Sequence, residues 1–86
     1  MRFAAHVEVR LRPGIADPES ATIVRALPAL GFDDVGAMTT GRSFRFEVEA
    51  ETEEAALERA SALAARLLAN PVMEDVSVSV GRAVPA

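Results

Sequence analysis

From Phe3 to Leu11 every second residue is apolar. Phe3, Ala5, Val7, Val9 and Leu11 fall on one side, and Ala4, His6, Glu8 and Arg10, with Arg12 beyond them, fall on the other. A period of two belongs to an extended chain with one face buried and one wet, so this stretch predicts a half-buried strand. The pattern returns twice. Phe44, Phe46, Val48 and Ala50 alternate with Arg45, Glu47 and Glu49, and Val76, Val78 and Val80 alternate with Asp75, Ser77 and Ser79 in a strand from Met73 to Val80. Strands of this kind need another layer over their apolar side.

Two stretches with helical spacing can supply it. Pro13 and Gly14 end the first strand. Asp17 then suits an N-cap, Pro18 the first helical position, and Glu19 the positive end of the helix dipole. Ile23, Leu27 and Leu30, with Ala26 beside them, form an apolar stripe, and Gly31 suits the left-handed residue after the helix. Pro28 lies inside that helix, where it costs about 3 kcal/mol, so a kink or a tightened turn is expected there. In the second stretch Thr52 caps, Glu53 and Glu54 fill the first turn, and the apolar side is Leu57, Ala60, Ala64 or Leu63, Leu67 and Leu68, against Glu58, Arg59 and Arg66. Asn70 can adopt the left-handed conformation and Pro71 cannot continue a helix, so "LLANPVMEDVSV" turns the chain from helix back to strand. Between the helices, Val35 to Thr39 read as a short, weakly patterned strand with a turn near Thr40, Gly41 and Arg42.

The predicted order is β-α-β-β-α-β: an α+β, ferredoxin-like fold with two helices on one face of an antiparallel-type sheet. One domain spans 1–82, and 83–86 is a C-terminal tail. At 86 residues the chain sits near the size where burial becomes marginal, and much of its apolar content is Ala. Exposed strand edges and a thin core favour self-association, as a homodimer or a larger assembly.

The residues exclude much chemistry. With no Cys there are no disulfides, thiolate metal sites or thiol nucleophiles. All nine basic residues are Arg, so Schiff-base and P-loop lysine chemistry is impossible. His6, the only histidine, lies on the polar side of a strand with no second His to share a metal. Asp33 and Asp34 fit a turn, and Glu47, Glu49 and Glu51 share one strand face. A net charge of −4 opposes a nucleic-acid partner. No apolar run is long enough to span a membrane, the charged N-terminus is unlike a signal peptide, and the expected compartment is the cytoplasm. What remains is the polar sheet face. His6, Glu8, Arg10 and Arg12, with Arg45, Glu47 and Glu49 nearby, make either a solvated face with weak ion pairs or a mixed-charge docking surface.

Two segments, "GIADPESATI" and "LLANPVMED", carry a family resemblance, together with Pro13-Gly14, Leu30-Gly31-Phe32 and Gly41-Arg42 in the same order. From about Val7 to Val80 the chain resembles PurS, the small subunit of bacterial and archaeal phosphoribosylformylglycinamidine synthase. It departs from the family pattern at Ser20, where Gly is common, and at Pro13 and Arg42, where Lys is common. The resemblance implies a subunit without catalytic residues that dimerises. It would bridge a large synthetase subunit, which uses ATP and Mg²⁺ to activate the formyl oxygen of formylglycinamide ribonucleotide, and a glutaminase subunit, which makes ammonia from glutamine. It would assist the passage of ammonia between them and bind no cofactor itself. The residues expected at partner interfaces are His6, Glu8, Arg10, Arg12, Arg42, Arg45, Asn70 and Pro71. Two other readings share the element order. An ACT-like small-molecule sensor would be stabilised by amino acids or nucleotides, and an acylphosphatase-like enzyme needs a phosphate-cradling loop that "RPGIADP" does not supply.

Overall fold

Strand β1 (Arg2–Leu11) buries Phe3, Ala5, Val7 and Val9 and exposes most of the residues between them, as its alternation requires. In the computed structural model, which describes residues 1–83, β1 is the centre of a three-stranded antiparallel sheet of order β2-β1-β3, with β2 spanning Gly41–Glu49 and β3 Glu74–Arg82. The register places Val7 opposite Phe44 on one side and Val78 on the other, so the apolar residues of all three strands share one face. Gly41 opens β2 where the chains are closest: a Cβ there would lie 2.4 Å from the Val9 carbonyl oxygen, so only glycine fits. The expected tail lies outside the described residues except for Ala83, whose N–H donates to the Arg2 carbonyl at 3.3 Å.

Helix α2 (Glu53–Leu63) covers the apolar face. Thr52 caps it, accepting from the Ala55 N–H at 3.1 Å. The buried stripe is Ala56, Ala60 and Ala64, each fully enclosed, which differs from the Leu-rich stripe expected. Spacing by four puts these small side chains in one row, and without bulk the helix lies close on Phe3, Ala5 and Val48. Leu57 and Leu63 flank the row and Leu67 points outward. Past Leu63 the helix widens into a π turn over Ala64–Leu68, closed by Ala69 N–H donating to the Ala64 carbonyl.

Helix α1 (Pro18–Ala26) begins at the Asp17 cap with Pro18 in its first turn, as the sequence predicts. It tightens at Pro28 into a 3₁₀ turn over Pro28–Leu30 that closes on Gly31 at φ 88°. Two expectations fail in this region. Residues 35–39 form no strand, with Ala37 at φ 54°, outside the extended range, and among the described residues the sheet has three strands, not four. Helix α1 also does not join α2 on the sheet, since its recurrent contacts are with its own 3₁₀ turn while α2 packs on all three strands. Ile23, Val24, Leu30 and Phe32 are exposed, and only Ser20 of α1 is buried. The chain is accordingly drawn out to 51 × 32 × 15 Å with a radius of gyration of 16.7 Å, where a compact domain of this length has about 12 Å.

Candidate functional site

The predicted interface residues fall into two groups. His6, Glu8, Arg10 and Arg45 lie on the sheet face opposite α2. The register sets His6 directly against Arg45 and Ala4 against Glu47, so the expected mixed-charge face is assembled. His6 Nε2 is 2.6 Å from the Ser43 hydroxyl, and Arg10 donates to Glu8 at 3.2 Å and to the Ser77 hydroxyl at 3.0 Å. Arg2 pairs with Glu47 and Glu49, both exposed. Such exposed pairs contribute about 0–1 kcal/mol each, so they set a charge pattern and do little for stability. Ala4, Ser79 and Gly81 keep this face low, leaving an open trough of about 590 Å³ bordered by His6, Arg45 and Glu47.

Arg12, Arg42, Asn70 and Pro71 form the second group, at the end of the sheet where α2 gives way to β3. Arg42 lies at the start of β2, not in a turn, and on the α2 side. Its guanidinium sits 5.7 Å from the centre of the Phe44 ring and donates to the Leu68 carbonyl at 3.1 Å and to Glu74 at 3.0 and 3.1 Å. Glu74 also accepts from the Asn70 N–H at 2.7 Å. That backbone bond first, and Arg42 after it, hold the Glu74 carboxyl below the usual range. Arg12 donates to the Pro71 carbonyl at 2.6 Å and pairs with Asp75 at 3.2 Å. Asn70 is not left-handed as expected; its side chain accepts from the Val72 N–H at 3.0 Å and its carbonyl from Met73 and Glu74. The helix end needs no left-handed residue because Arg42 already satisfies the Leu68 carbonyl. These bonds tie residues 69–74 into a corner that displays Val72, with Leu67 and Met73 also exposed.

Sequence reasoning missed Glu74, which joins Arg42 to Asn70 from four positions downstream. It also missed Thr40, whose N–H and hydroxyl both bond Asp17. The first had a signal in the spacing of "NPVMED"; the second joins residues 23 apart, and nothing local marks it. Both groups hold guanidinia and a carboxylate paired with each other, Arg10 with Glu8 and Arg42 with Glu74, a mixed-charge arrangement suited to recognition by another protein surface.

Comparison with known proteins bears on the chain as a whole. The family model described as "PurS: Phosphoribosylformylglycinamidine (FGAM) synthase" matches residues 4–82. The phosphoribosylformylglycinamidine synthase subunit PurS of Archaeoglobus fulgidus is 38% identical over 74 residues, covering 86% of this chain and 92% of the relative. PurS of Methanocaldococcus jannaschii, described as one of the subunits of formylglycinamide ribonucleotide amidotransferase in the purine biosynthetic pathway, superposes with a TM-score of 0.84 at 34% identity, over 95% of this chain and 99% of its own. A chain in the structure of PurLQS from Thermotoga maritima superposes with a TM-score of 0.86 at 33% identity, over 94% of this chain and 99% of its own.

Proposed function

The chain belongs to the PurS family of phosphoribosylformylglycinamidine synthase subunits, and on that premise we propose that it acts as an adaptor without catalytic residues of its own. It holds a large synthetase subunit and a glutaminase subunit together so that ammonia released from glutamine reaches the site where ATP and Mg²⁺ activate the formylglycinamide substrate. ATP, Mg²⁺ and glutamine are used by the partners. The similarity to a chain of the Thermotoga assembly supports this reading. His6, Glu8, Arg10 and Arg45 offer one docking face, and the corner of Arg12, Arg42, Asn70 and Pro71 offers a second. One face of the sheet and one end of it are separate surfaces, as a bridging subunit requires. No helix among the described residues is long and apolar enough to cross a membrane, and we place the protein in the cytoplasm with the assembly it serves.

The observation that carries the proposal is uncovered surface. The chain exposes 6375 Å², whereas a compact monomer of 9.1 kDa exposes about 4,900 Å². The excess is about 1,500 Å² per chain, enough surface for a partner to cover. Four of its large apolar side chains, Ile23, Val24, Leu30 and Phe32, lie on and just after the first helix, and Leu67 and Val72 at the corner are more exposed still. A second copy of the chain is therefore the expected cover for the first-helix segment, leaving the two polar groups for the other subunits. Reconstitution tests the function directly. Large subunit, glutaminase, ATP, Mg²⁺ and glutamine are assayed for glutamine-dependent product with and without this chain. Product should depend on adding it, and equal product without it refutes the adaptor role.

A further inference from the structure

Helix α1 is attached to the rest of the chain at one end. Ser20, in its first turn, is its one buried residue, and Ile23 and Val24 beyond it are exposed. The side-chain part of that attachment centres on one carboxylate. Asp17 Oδ1 accepts from the Ser20 N–H at 3.1 Å and from the Thr40 hydroxyl at 3.0 Å; Oδ2 accepts from the Ser20 hydroxyl at 2.8 Å and from the Thr40 N–H at 3.0 Å. Two of these bonds cap the helix. The other two tie that cap to the residue just before β2. A carboxylate has about four acceptor positions, and all are used. Because every bond favours the ionised form, the Asp17 pKa falls to about 2, with the Thr40 backbone bond the largest cause.

A nine-residue helix is shorter than the ~12–15 residues at which isolated helices become even marginal in water. Without a packed face, its direction depends on what holds its base. The base is closed on the other side by Ile15 N–H donating to the Arg12 carbonyl and Arg12 N–H donating to the Met73 carbonyl. Resting on the self-association reading above, we propose that Asp17 is a positioning residue. By joining the cap of α1 to Thr40 at the foot of β2, it fixes the direction in which the helix leaves the sheet. It thereby sets how the helix's apolar side meets a second copy of this chain.

Cap and tie can be separated. Asp17→Ser keeps an oxygen for the Ser20 N–H but is too short to reach Thr40, while Thr40→Val leaves Asp17 intact and removes only the hydroxyl bond. Because the chain has no Cys, spin labels can be placed at Arg25→Cys on α1 and Glu58→Cys on α2 in the full chain. Dilution into unlabelled protein then isolates the distance within one chain, and sedimentation equilibrium gives the association constant. In the parent the distance distribution should be narrow. In Asp17→Ser it should broaden while helical circular dichroism is kept, with association weakened by about tenfold or more, and Thr40→Val should fall between. A distribution in both variants as narrow as the parent's overturns the proposal. Broadening with undiminished association also overturns it, at the step from direction to assembly, and leaves self-association standing. A parent chain that stays monomeric through the micromolar range overturns the self-association reading and the proposal with it, whatever the distances show.

Discussion

The two helices of this chain follow each other through one sheet and are held in opposite ways. Helix α2 is held by its face: Ala56, Ala60 and Ala64 are closed against Phe3, Ala5, Val7, Val9 and Val48. Helix α1 is held by its cap, with Asp17 bonded to Ser20 and Thr40 and with its apolar side chains left open. Burial supplies the larger free energy, at about 25 cal/mol per Å² of apolar surface removed from water, so α2 belongs to the folding core. Capping bonds supply little energy but fix geometry, so α1 is placed without being buried. A small chain that must assemble gains from that division. One helix makes the monomer, and the other is kept for the partner.

The largest effect should come from breaking the packed face. Ala60→Leu adds three carbon atoms where the parent side chain is fully enclosed, and overpacking of this kind costs about 1–3 kcal/mol. Denaturant unfolding should show a lower midpoint with the slope unchanged. Next comes the cap of the packed helix. Thr52→Ala removes the acceptor for the Ala55 N–H at a cost of about 1 kcal/mol, yet the face should hold α2 in place, so its direction is unaltered while stability falls. That outcome contrasts with the loss of direction expected when Asp17 is changed. A smaller effect on the monomer is expected from Ile23→Ser with Leu30→Ser. Both side chains are exposed, so unfolding should move within about 0.5 kcal/mol per site while sedimentation shows association lost.

The smallest effect concerns acid. The folded pKa of Asp17 lies below its unfolded value, so its contribution is complete above the unfolded value of ~3.9 and fades as pH falls toward about 2. Glu74, also lowered, behaves in the same direction. Stability should therefore be flat in these groups near neutrality and decline on acidification. Glu74→Gln should reduce that decline in a series of unfolding curves, because the titrating group is gone.

The contrast also marks how far the sequence could be read. Strand β1, the Asp17-Pro18 start, the tightening at Pro28 and the Thr52 cap are local events, set by residues within a turn of one another, and each stands where the pattern placed it. The strand expected at 35–39 failed on one residue, Ala37 at positive φ, which no alternation reveals. The stripe of α1 looks as apolar in sequence as that of α2, and periodicity cannot distinguish a side covered by its own sheet from one left for another chain. The interface residues were legible by type, but their partition into an open face and a locked corner depends on the strand register and on Glu74.

Hydrogen exchange of the two helices tests the division most directly. In dilute, unassembled protein the amides of α1 should exchange much faster than those of α2, and on assembly the α1 amides alone should gain strong protection. If α1 is as protected as α2 in the dilute monomer, or gains nothing when the chain assembles, the account of a helix held by its cap for a partner is wrong.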